Sequence, residues 1–109
     1  MTDIKLTRKG NSIVEVEASG HTGYGEQGED IVCAGISTLL QSSLLGLLQV
    51  AKVNVKYHID AETGKLKFTL PEGLTDEEKH DCDVILNTLL CGLQDFYTEY
   101  SDFINLEVI

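Results

Sequence analysis

The chain has 109 residues, enough for a single domain, 1–109, with its own core and no need of disulfides or metals. Apolar residues make up 42% and charged residues 24%, an ordinary balance for a globular protein, but the net charge is −10. That acidity argues against direct nucleic-acid binding, because phosphates would be repelled, and it favours basic partners.

The first residues alternate: Ile4 and Leu6, then a turn at Lys9-Gly10-Asn11, then Val14, Val16 and Ala18, which predicts a hairpin with one buried face. The N-terminus lacks an apolar signal core. Residues 31 to 51 are uncharged and apolar on every side of a helical wheel. Their length raises a membrane question, but Ser37, Thr38, Gln41, Ser42, Ser43 and Gln49 interrupt the run, so a buried helix is the better reading. Such a helix needs cover on more than one side; a second subunit could supply it, with Gly46 permitting close approach.

Val53, Val55, Tyr57 and Ile59 then alternate as a half-buried strand, residues 60 to 64 turn, and Leu66, Phe68 and Leu70 return. Thr75-Asp76-Glu77-Glu78 has the form of a capping box. The helix it opens places Cys82, Leu86, Leu89, Leu90, Leu93, Phe96, Tyr97 and Tyr100 on one apolar stripe. Ile104, Leu106 and Val108 form a last strand. The order ββαββαβ predicts an α+β fold: two layers, two helices on one face of a mostly antiparallel sheet.

The chemistry concentrates between His21 and Cys33, which bracket an acidic loop carrying Gly23, Gly25 and Gly28. His21 falls where the strand pattern gives out. Cys33 is expected in the first turn of the first helix with Asp30 as its cap, where unpaired N–H groups and the helix dipole favour the thiolate. A nearby imidazole is the usual activator of a cysteine nucleophile. Ser37, one turn beyond Cys33, either lines the site or bonds back to the preceding turn. Cys82 and Cys91, nine positions apart, fall about half a turn around the second helix from one another and read as structural. His58 and His80 fall among polar neighbours and read as solvated. Three cysteines with no CxxC fit a reducing, cytoplasmic compartment.

Residues 23 to 28, GYGEQG, match the dinucleotide fingerprint, but Glu26, Glu29 and Asp30 would crowd a pyrophosphate, and the preceding strand belongs to a hairpin. The spacing of His21, Glu26, Glu29, Asp30 and Cys33 is not a zinc pattern, so no metal or cofactor is expected. The glycines instead suit a loop that folds over a bound peptide, with Glu26 and Glu29 facing its basic stretch.

Gly20-His21, the glycine-bearing loop and Asp30-Ile31-Val32-Cys33-Ala34-Gly35-Ile36-Ser37 together resemble the signature of the ribosomal-processing cysteine proteases, the Prp family. The resemblance covers the whole chain in length, element order and acidity. It implies a homodimeric cysteine endopeptidase with His21 as proton acceptor and Cys33 as nucleophile. It also implies a basic substrate, the precursor of large-subunit ribosomal protein twenty-seven, whose N-terminal extension is removed by cleavage after a phenylalanine. Thr22 stands where many members carry alanine. Asp30 is then either the helix cap or a partner orienting His21. The alternative from another class is a non-catalytic acidic adaptor that docks on a basic ribosomal protein.

Overall fold

A computed structural model describes residues 1–20, 29–60 and 62–109 of the chain. Strands β1 (Thr2–Lys9) and β2 (Ser12–Ser19) form the expected hairpin, turning at Gly10, whose φ of 66° suits glycine. The pairing slips between Thr7 and Arg8. Val14 is skipped by this bulge, so Ile13 rather than Val14 joins Val16 and Ala18 in the core.

The first helix, α1 (Glu29–Leu45), continues into a π turn over Gly46–Val50, and Lys52 at φ 56° ends it in a left-handed residue. Its core residues Val32, Ile36, Leu40 and Leu44 recur every fourth position, and Leu47 follows. Ser37, Thr38, Gln41, Ser42 and Gln49 lie exposed on the other side. The helix is therefore embedded on one face rather than buried all round, although residues Ile31–Val50 are long and apolar enough to cross a membrane by composition. Part of the second cover comes from the same chain. The Gly46 α-carbon faces Ile85 of the second helix, and Gly92 of that helix packs on Leu39.

The next strand is shorter than its alternation suggests. Val53 and Val55 are buried, but β3 is only Lys56–Asp60, and it lies at the sheet edge. Tyr57 and Ile59 pair with Phe68 and Leu66 of β4 (Lys65–Thr69) and so face the helical layer, yet they are 56% and 49% exposed. Among the described residues, the helices leave this sheet edge partly open to solvent.

The capping box of α2 (Asp76–Tyr100) is present in full. Glu78 N–H donates to Thr75 Oγ1 at 3.1 Å, and Thr75 N–H donates to Glu78 Oε1 at 2.9 Å. Cys82, Leu86, Leu89, Leu90 and Leu93 are buried, Phe96 and Tyr100 are half-buried, and Tyr97 faces solvent, against expectation. Cys91 is exposed, not packed.

Strand β5 (Ile104–Val108) lies beside β1 and parallel to it, completing the sheet β3-β4-β2-β1-β5 among the described residues. The core fills the space between this sheet and the two helices, giving the expected two-layer α+β architecture with one parallel pair in the sheet.

Candidate active site

Three chain segments meet at Cys33: the start of β1, the end of β2 and the second turn of α1. The β1–β2 register pairs Asp3 with Ser19, which brings Thr2 alongside Gly20. Gly20 has a φ of 102°, and a β-carbon there would land on the Met1 carbonyl oxygen, so only glycine suits the position. The Gly20 carbonyl oxygen lies 3.9 Å from Cys33 Sγ and accepts from Thr2 Oγ1 at 3.5 Å. Thr2 Oγ1 in turn lies 3.3 Å from Cys33 Sγ. The thiol thus sits in a polar notch built from two strand ends.

From this notch a cleft of about 240 Å³ runs between α1 and the β3–β4 edge. Ile36 and Leu40 of α1, with Ile59 and Leu66 of the strands, give it an apolar wall. Ser37 and Gln41 line it from the helix, Asp60 and Lys65 from the strand side. The Asp60 carboxylate accepts from the amides of Thr63 and Glu62, and the Thr63 amide above all holds its pKa below the usual value. Asp60 therefore stays ionised to a lower pH than an ordinary carboxylate, opposite Lys65 across the β3–β4 pairing.

Two expectations about this region are corrected. Cys33 is the fifth residue of α1, one turn inside the helix rather than in its first turn, so the helix dipole, which fades beyond the first turn, favours the thiolate less than supposed. Asp30 lies within the helix and is not its cap. Ser37 lines the cleft, and among the described residues its hydroxyl makes no bond to the preceding turn of the kind Thr38 makes to Ala34 and Ser43 to Leu39. His21, the glycines at 23, 25 and 28, and Glu26 lie outside the described residues, as do the side chains of Glu29 and Asp30. The nucleotide-like run 23–28 lies there too, but the strand before it is antiparallel to β1, a hairpin and not a βαβ unit.

Gly20 belongs to the Gly20-His21 motif, but Thr2, Asp60 and Lys65 carry no sequence signal. Nothing in their spacing places them near Cys33, because cross-strand pairing and helix packing bring them there.

The family model described as cysteine protease Prp matches residues 1–105. The chain belongs to that family. It is 31% identical over 104 residues to the ribosomal processing cysteine protease Prp of Staphylococcus aureus, covering 95% of this chain and 93% of that one. It is also 26% identical over 96 residues to the Prp of Bacillus subtilis, covering 88% and 84%. The fold superposes on the crystal structure of S. aureus Prp in complex with a substrate peptide, with a TM-score of 0.87, 26% identity and full coverage of both chains. A second S. aureus Prp structure, with a covalently linked product peptide, gives 0.83 at 27% identity, again with full coverage of both. Membership of the Prp family makes the chain a cysteine protease and sets aside the reading as a non-catalytic adaptor.

Proposed function

We propose that this protein is a ribosomal-processing endopeptidase that uses Cys33 as nucleophile and His21 as its base. The observation that carries the assignment is the position of Cys33 Sγ at the head of the α1–β3 cleft, against the carbonyl of Gly20, the residue chain-adjacent to His21. The other two cysteines offer no comparable setting: Cys82 is 1% exposed in the core, and Cys91 stands on the solvent face of α2.

The reaction begins when His21 takes the Cys33 proton and the thiolate attacks the scissile carbonyl. Backbone N–H groups at the start of α1 stabilise the oxyanion of the tetrahedral intermediate. The protonated His21 then donates to the leaving amine, and water releases the acyl-enzyme. The apolar wall of Ile36, Leu40, Ile59 and Leu66 suits the hydrophobic side chains on the acyl side of the cut.

The substrate is the precursor of large-subunit ribosomal protein twenty-seven, cleaved after a phenylalanine to remove its N-terminal extension. Two findings support it: the processing role in the names of the S. aureus and B. subtilis relatives, and the fit of a basic ribosomal protein to a chain of net charge −10. The protein is proposed to act in the cytoplasm as a homodimer.

Incubating a peptide that spans the extension with purified variants, followed by mass spectrometry, tests the assignment. Cys33→Ala is expected to abolish cleavage, while Cys82→Ala and Cys91→Ala cleave nearly as the parent does. Full cleavage by the Cys33 variant would remove the assignment.

A further inference from the structure

Among the described residues, Thr2 is the one polar side chain classed with the buried core, at 6% exposure. It occupies the inward face of β1, where the next two inward positions are Ile4 and Leu6. Valine would fit such a position by shape, and a hydroxyl there costs free energy unless it is hydrogen-bonded. The Thr2 hydroxyl has two partners in reach, the Gly20 carbonyl oxygen at 3.5 Å and Cys33 Sγ at 3.3 Å. Only one of them can receive its single proton at a time.

We infer that Thr2 is a positioning residue for the Cys33 thiolate, a role that rests on the reading of Cys33 as nucleophile. With the thiol protonated, Sγ–H donates and the Thr2 O–H points to Gly20 O. When the thiol proton leaves for His21, Sγ becomes a strong acceptor and faces the partial negative charge of the Gly20 carbonyl 3.9 Å away. Thr2 then turns its O–H onto the sulfur, keeping its own proton and exchanging one acceptor for another. The new bond is charge-assisted, so it favours the thiolate over the thiol and holds the sulfur at the head of the cleft. A donor here supplies stabilisation where the helix dipole contributes less, because Cys33 lies one turn inside α1.

The test compares Thr2→Val, which keeps the shape and removes the hydroxyl, with Thr2→Ser, which restores it. Both are made in the Cys91→Ala background, so that the exposed thiol does not compete. The rate of Cys33 alkylation by iodoacetamide is followed against pH by mass spectrometry. The charged groups sharing the cleft, Asp60 and Lys65, are unchanged in every variant. Thr2→Val is expected to move the alkylation midpoint upward by about one pH unit, which is about a tenfold slower rate below the midpoint. Thr2→Ser is expected to return most of it. A Thr2→Val profile matching the parent overturns the inference, as does a shift that serine fails to rescue. A purely structural role would change thermal stability and leave the midpoint in place. The alkylation readout needs no substrate, so failure of the nucleophile assignment, seen as cleavage by Cys33→Ala, is told apart from failure of this one.

Discussion

At the scale of single residues, the three cysteines show how one side-chain type takes three characters from its surroundings. Cys33 sits in a notch of strand ends, Cys91 stands in solvent, and Cys82 fills the core beneath α2. Burial, reinforced by the carboxylates of Asp83, Asp81 and Glu78, pushes the Cys82 thiol up to about 11. In the unfolded chain the same thiol ionises near its ordinary value of 9.0. Below that pH both states hold the proton and the group leaves stability unchanged with pH. Between the two values the unfolded chain gives up the proton while the folded one keeps it, so stability falls as pH rises. The loss amounts to about 2–3 kcal/mol by the time the folded pKa is reached. Urea melts between pH 8 and 11 are expected to show this decline in the parent and a shallower one in Cys82→Ala. Equal slopes would mean that Cys82 is not the group responsible.

At the scale of elements, the hydrophobic rhythm made the strands, the helices and their order legible, because period-two and near-four repeats follow directly from which face is buried. Legibility ended where pairing partners decide the outcome. The bulge that exchanges Val14 for Ile13 depends on β1, and the exposure of Tyr57 and Ile59 depends on how far α1 extends across the sheet. The same limit hid Thr2 from the site, while Cys33 stood out by its place in the chain. Glycine in α1 and its π turn is another case. Gly46 drew attention for close packing, yet its added β-carbon would meet Ile85 at 3.7 Å, an ordinary contact. At Gly35 the added carbon would fall on the Phe96 ring, which is stacked at a tilt on Tyr100 with centroids 5.8 Å apart. Gly35→Ala should therefore lose about 1 kcal/mol net, overpacking outweighing the gain in helix propensity, and Phe96→Leu added to it should recover most of that loss. Because Gly35 is two residues from Cys33, cleavage should slow in parallel. Gly46→Ala is the control, expected to be near neutral; thermal melts showing equal losses at both glycines would refute the packing argument.

At the scale of the whole molecule, charge and apolar surface pull association in opposite directions. Two copies each of net charge −10 repel one another, yet residues 31 to 51 contain no charged side chain, so α1 is the surface where copies can meet at least electrostatic cost. That helix and its π turn leave Ile31 70%, Leu45 51% and Val50 79% exposed even after α2 has covered their flank. Burying these three from both partners contributes on the order of 6–12 kcal/mol, against an association cost of about 4–15 kcal/mol, so this contact by itself yields at most about 8 kcal/mol net and a dimer no tighter than micromolar. Salt separates this contact from substrate binding. Screening weakens the repulsion between acidic copies, so raising ionic strength should tighten the dimer, whereas the attraction of a basic peptide to the acidic chain should weaken over the same range. Light scattering at micromolar concentration is expected to give a dimer mass that persists in high salt, and Leu45→Glu, which places a buried carboxylate in the contact, to give a monomer. Peptide affinity measured alongside should fall with salt. A parent protein that scatters as a clean monomer at all ionic strengths would show that the exposed apolar face of α1 does not pair with itself.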